Sequence, residues 1–163
     1  DDYLCAIYKV DDEWVVDTWA ATTEPGTSIL QKPIVSGGTA ILIPDQYRGV
    51  YKIDTHGGKR RYTALCQRLG KVKVWRDNNR DRTPDYEGKI HEGMYGINIH
   101  RQWGPDDREY TGGVSAGCQV FRSGKDFYEF MELCHISAEM YSNRFTYTLI
   151  NDTDLEKTLD LCI

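Results

Sequence analysis

Apolar and polar positions alternate in short bursts along this chain, and the spacing of the bursts predicts its elements. Residues 3–10 and 13–21 are rich in Val, Ile, Tyr and Trp on either side of Asp11-Asp12, the composition of a β-hairpin about a tight turn. Residues 22–38 then carry Pro25, Gly26, Pro33, Gly37 and Gly38, a density of breakers that predicts a loop through most of the stretch. Short strands are expected at 39–43, 50–54, 62–67 and 71–76. After a polar run at 77–85, another is expected over 94–100, ending on His100, with further strands at 117–121 and 145–150.

The period changes once. Ser123 followed three residues later by Asp126 is a capping-box pattern, and Phe127, Phe130, Met131, Cys134 and Ala138 then fall at i, i+3, i+4, i+7 and i+11. That stripe predicts one amphipathic helix packed on the core, not a cofactor box. The last dozen or so residues read as a weakly specified tail or short helix. The sum is a single, mainly β domain over residues 1–163, with about eight short strands and one helix near the C-terminus. It is closer to a sandwich or barrel than to alternating βαβ units.

Composition narrows the possibilities. A chain of 163 residues with 40% hydrophobic content can build one real core. A net charge of −5, with Lys and Arg interleaved among acids, argues against a nucleic-acid surface. No apolar run approaches the ~18 residues that span a bilayer, so no membrane span is expected. The first residues lack a signal-peptide pattern and open on Asp1 without methionine, which leaves open a processed product or a domain of a larger protein.

Five cysteines, Cys5, Cys66, Cys118, Cys134 and Cys162, form an odd and widely spaced set, unlike a disulfide scaffold or a metal knuckle. Cys5, Cys66 and Cys134 sit among apolar neighbours and read as small buried hydrophobes. His135 beside Cys134 is weak evidence for a metal. Asp77, Asn79, Asp81 and Asp85 alternate like calcium ligands, but Arg82 and Gly88 stand where such a loop needs Gly and Glu. A solvated loop, no metal and no cofactor are expected.

Cys118 has a different setting. Ser115-Ala116-Gly117-Cys118 puts a thiol after small, flexible residues, with Ser115 as support and the Gly117 and Cys118 amides as candidate oxyanion donors. A thiol near pKa 8.5 needs a base to become nucleophilic, and His100 is the best candidate. Fourteen residues separate it from Ser115, enough for one loop to return the chain.

Tyr95-Gly96-Ile97-Asn98-Ile99-His100, followed after that interval by Ser115-Ala116-Gly117-Cys118, resembles the motif of the L,D-transpeptidase (YkuD-like) superfamily. There, a strand ending in His precedes a Ser/Thr-His-Gly-Cys box. The continuation Gln119-Val120 looks most like single-domain, phage-encoded members. Ala116 stands where the family has a second His, and Gln119-Val120-Phe121 replaces a continuation that supplies an Arg or Asn. Arg101 or Arg122 is therefore the candidate substrate contact, with Trp103 and His91 as further groove candidates.

The resemblance implies a β-sandwich-like catalytic domain acting on peptidoglycan stem peptides. An acyl-enzyme would form on Cys118 at the L-centre of diaminopimelate, released to water or to an amine, with hydrolysis favoured over crosslinking. It implies a place in the periplasm, cell wall or virion. The alternative is a catalytically silent phage structural or wall-binding module on the same scaffold. His56, in Thr55-His56-Gly57-Gly58, fits the spacing poorly and is expected to be a groove or turn residue. Papain-like enzymes place Cys before His, and zinc peptidases show HExxH; neither pattern is present.

Overall fold

The computed structural model describes residues 2–59, 61–102, 113 and 115–154. The chain is mainly β, as its pattern predicts. In order, β1 (Asp2–Val10), β2 (Glu13–Thr22), α1 (Thr27–Gln31), β3 (Thr39–Leu42), β4 (Asp45–His56), β5 (Tyr62–Gln67) and β6 (Val72–Asp77) form the first half. There follow β7 (His91–Gly93), β8 (Ile99–Arg101), β9 (Gln119–Phe121), α2 (Gly124–Met140) and β10 (Phe145–Leu149). One sheet runs β1-β2-β9-β8-β5-β4-β10; a smaller one runs β3-β6-β7.

The hairpin forms where expected because Asp11 and Asp12 take positive φ, 48° and 68°, the left-handed pair that matches the twist of a two-residue turn. β1 and β2 pair from Asp2↔Ala21 to Val10↔Glu13. β2 continues into β9 through Ala21↔Phe121 and Thr22↔Val120.

α2 begins where the cap pattern places it, with Asp126 N–H donating to Ser123 Oγ at 3.3 Å. Phe127, Phe130, Met131 and Cys134 are buried, and Ala138 at the end of the stripe is half-buried. This face packs Phe130 5.0 Å from Phe121 and 5.7 Å from Trp19, centroid to centroid, and Phe127 5.6 Å from Phe121. Aromatic pairs at such separations add roughly 0.5–1.5 kcal/mol each beyond area burial.

Three expectations are corrected. The breaker-rich stretch 22–38 holds the short helix α1, because Leu30 is buried to 1% exposure and the carbonyl of Gly26 accepts from both Ile29 and Leu30. The strand predicted over 94–100 forms only at its end, as β8, and 94–98 is an irregular link between β7 and β8. Gly96 sits at φ 70°, and the N–H groups of Tyr95 and Ile97 both donate to Gln67 Oε1 at 3.1 Å instead of to a neighbouring strand. Cys5 is exposed on β1, not buried, with its sulfur 3.6 Å from Thr18 Oγ1. Cys66 and Cys134 are buried as expected.

The acidic loop bonds within itself: Asn79 Oδ1 accepts from Asp81 N–H, and Asp81 Oδ1 accepts from Thr83 N–H. Among the described residues no cluster of His, Cys, Asp and Glu is arranged to hold a metal ion. No helix among them is long and apolar enough to cross a membrane.

Candidate active site

β8 and β9 pair in parallel, with Ile99↔Gln119, His100↔Val120 and Arg101↔Phe121, while every other pairing among the described residues is antiparallel. One step upstream, Asn98 stands beside Cys118: Asn98 N–H donates to Sγ at 3.4 Å, and Asn98 O accepts from Gln119 N–H at 2.9 Å. Alternation along the strands gives His100 and Cys118 a common face. Adjacent strands lie ≈ 4.8 Å apart and two residues rise ≈ 6.6 Å, so the two backbones are separated there by roughly 8 Å.

The turn that presents Cys118 is held from several sides. Ser115 is fully buried; its Oγ donates to Cys118 O at 2.9 Å and accepts from Gly117 N–H at 3.2 Å. Gly117 has φ 115°, and a Cβ there would lie 2.2 Å from Ala40 O, so only glycine fits. Ser115 thus ties the turn together around Cys118. The Gly117 N–H is committed to Ser115 in this state, so of the two amides proposed as oxyanion donors, the Cys118 N–H is the one Ser115 leaves.

The sulfur is half-buried and donates to Gly96 O at 3.5 Å. Burial pushes the Cys118 thiol up to about 11, against the opposing pull of the Asn98 N–H. His100 is 2% exposed, and burial, then the neighbouring His56, pushes its imidazole down to about 4. Near neutral pH both groups are uncharged: a protonated thiol beside a neutral base. Among the described residues no hydrogen bond joins Sγ to the His100 ring.

The tautomer of His100 follows from its partner. Nδ1 lies 2.8 Å from Arg101 O, and a carbonyl only accepts, so Nδ1 carries the hydrogen and Nε2 keeps its lone pair. Tyr62 also donates to Arg101 O at 3.2 Å.

His56 is brought to the same place from β4. Its ring stacks on His100 with centroids 4.2 Å apart and planes inclined by 20°. The sequence placed it only as a groove or turn residue, because sequence distance does not reveal that β4 and β5 pair His56 with Tyr62 and deliver both rings to His100. Asn98 and Gln67 were likewise missed. Gln67 is 1% exposed and clamps the approach to β8, its Nε2 donating to Gly70 O and Gly93 O at 3.0 Å each. A buried amide in an apolar run was the available signal.

Comparison with family models, with curated proteins and with solved structures gives no significant match.

The remaining candidates are spread out. Arg101, next to His100, lays its guanidinium 4.5 Å from the Tyr62 ring and 5.7 Å from that of Tyr128, and donates from Nη1 to Gln102 O. His91 is in the smaller sheet opposite Val74, away from the β8–β9 pair. Arg122 follows β9, exposed, with its N–H bonded to Ala20 O. Trp103 lies outside the described residues, as does Cys162.

Proposed function

We infer that this chain is a cysteine-dependent acyl-transfer enzyme acting on peptidoglycan stem peptides, with Cys118 as nucleophile and His100 as base. The observation that carries this is the one parallel pairing among the described residues, β8 with β9, which aligns the two residues on one face. The sequence motif from Tyr95 to Phe121 supplies the substrate class.

In the first step His100 Nε2 takes the thiol proton as Sγ bonds to the scissile carbonyl carbon, and the resulting oxyanion is met by the Cys118 N–H. Collapse breaks the C–N bond, the imidazolium returns the proton to the departing amine, and a thioester remains. Water then gives a proton to Nε2 and its oxygen to the acyl carbon; the thiolate leaves and recovers that proton. An amine acceptor follows the same path and yields a crosslink. Hydrolysis of the L,D-bond at diaminopimelate is the favoured outcome, and the chain acts where murein is reached, in the periplasm, wall or virion.

A neutral resting pair suits this order of events. The Asn98 N–H already points at the sulfur, ready to stabilise negative charge, while the Arg101 carbonyl stabilises His100 as it becomes charged. The bond from the thiol to Gly96 O favours a second reading, a silent wall-binding module.

Purified muropeptides decide between them. Water-derived cleavage products, with a mass adduct on the protein from a carbapenem that vanishes in Cys118→Ala, are expected. Muropeptides left intact by the wild-type chain, with wall binding retained, would establish the silent module.

A further inference from the structure

We propose that His56 is a positioning residue for the base: its flat, neutral ring, oriented by Asn98, holds the His100 ring in the plane and tautomer that turn Nε2 toward Cys118. The proposal rests on the acyl-transfer reading for its consequence, though not for its geometry.

Asn98 settles the state of His56. Its Oδ1 accepts from the backbone N–H of Gln67 at 2.9 Å, which fixes which end of the amide is oxygen. Nδ2 therefore faces His56 Nδ1, 2.9 Å away, and donates to it. His56 Nδ1 is an acceptor, so the neutral ring carries its hydrogen on Nε2, the opposite tautomer to His100. Protonating Nδ1 would set two donors face to face and cost the Asn98 bond. The two stacked imidazoles thus have room for one extra proton, and the hydrogen bonds assign it to His100, the ring whose Nε2 keeps a lone pair.

Among the described residues, Tyr62, Arg101 and Arg68 are the further groups that face or act on this pair. Tyr62 stands at the edge of His56, 5.3 Å between centroids, with its hydroxyl 3.4 Å from His100 Nδ1. Arg101 lies beyond Tyr62, and Arg68 acts on His56, where it adds to burial in lowering the imidazole pKa. With Tyr62 at the edge and the Arg101 carbonyl bonding only one nitrogen, the His56 face is the surface that fixes the tilt of the His100 ring.

Two substitutions separate a flat ring from mere filling. His56→Leu keeps bulk and loses the plane; His56→Phe keeps the plane; both lose the Asn98 bond equally. On muropeptides, kcat is expected to fall about 10–100-fold in His56→Leu, the usual cost of losing an outer partner of a reacting group, with KM little changed. His56→Phe is expected to stay within about threefold of wild type.

Nitrogen-15 spectra of the imidazoles give a readout that needs no turnover. Wild type and His56→Phe should show His100 as a single Nδ1–H tautomer, and His56→Leu a mixture. Equal losses in the two variants, or an unmixed tautomer in His56→Leu, would overturn the proposal. If wild-type protein leaves muropeptides intact, the acyl-transfer reading fails by itself, and the spectra still decide the role of His56.

Discussion

Two thiols in this protein, buried Cys134 and half-buried Cys118, are both pushed up by burial and differ in what surrounds them. Cys134 lies on the inner stripe of α2 at 5% exposure, and burial alone pushes its thiol up to about 12. Cys118 is pushed up to about 11 by the same cause, yet a backbone N–H donates to its sulfur and an imidazole stands on the same face of the adjacent strand. A low resting pKa is therefore not what distinguishes the candidate nucleophile here. What distinguishes it is its setting in the sheet: a neutral imidazole on the same face of the adjacent strand and a backbone N–H donated to the sulfur, which on the proposed reading would take the proton and meet the charge left behind.

The sharpest way to break this comparison is to remove each thiol in turn. Cys118→Ala and His100→Gln should each lower kcat/KM on muropeptides by at least about a thousandfold, while Cys134→Ala changes it by no more than a few-fold. Comparable losses from both cysteines would mean that neither is chemical.

The support of Cys118 can be broken without touching sulfur. Gly117→Ala sets a methyl against the Ala40 carbonyl at a backbone angle that disfavours any side chain, and should cost roughly 3 kcal/mol or more of stability. Gly96→Ala, at φ 70° with open space around it, should cost only about 1 kcal/mol. Urea unfolding of the two variants checks the difference.

Acid should act on the base and not on either thiol. The folded pKa of His100 is about 4 against 6.5 for an ordinary His, so below pH 6.5 the unfolded chain binds the proton first. Stability tied to His100 is complete above pH 6.5 and is lost as pH falls toward 4, by about 3 kcal/mol in all. His100→Gln should flatten that part of the stability–pH curve. Above pH 9 the sign reverses for the thiols: both have raised folded pKa values, so stability falls as the unfolded chain deprotonates.

Cys134→Ala, by contrast, should cost about 1–2 kcal/mol at neutral pH through lost packing alone. The smallest expected effect concerns reactivity: with no substrate present, iodoacetamide should modify exposed Cys5 before Cys118. Preferential labelling of Cys118 would show that its resting thiol is already ionised.

Much of the scaffold was legible because it is written locally. The hairpin follows from two aspartates that tolerate positive φ, and α2 from Ser123 with a stripe at helical spacing. The irregular link before β8 was not legible, because Gln67, about thirty residues upstream, outcompetes strand pairing for its N–H groups. His100 and Cys118 were singled out by order and spacing. His56 and Asn98 were not, since their meeting depends on the register of β4 with β5 and on a hydrogen bond across 42 residues. Local pattern marks the candidate pair; only long-range register reveals what packs and bonds around it.

The strand order also has a temporal meaning. β1 and β2 are made first, but the strand that joins them to the rest of the large sheet is β9, about a hundred residues later. During synthesis the hairpin waits with its docking edge unpaired, and loop closure over so long a separation makes this step slow. The segment that ends the wait is Gln119–Phe121, directly after Cys118. Placing β9 between β2 and β8 joins the hairpin to the rest of the sheet and sets Cys118 on the same face as His100, so the candidate pair and the sheet form together.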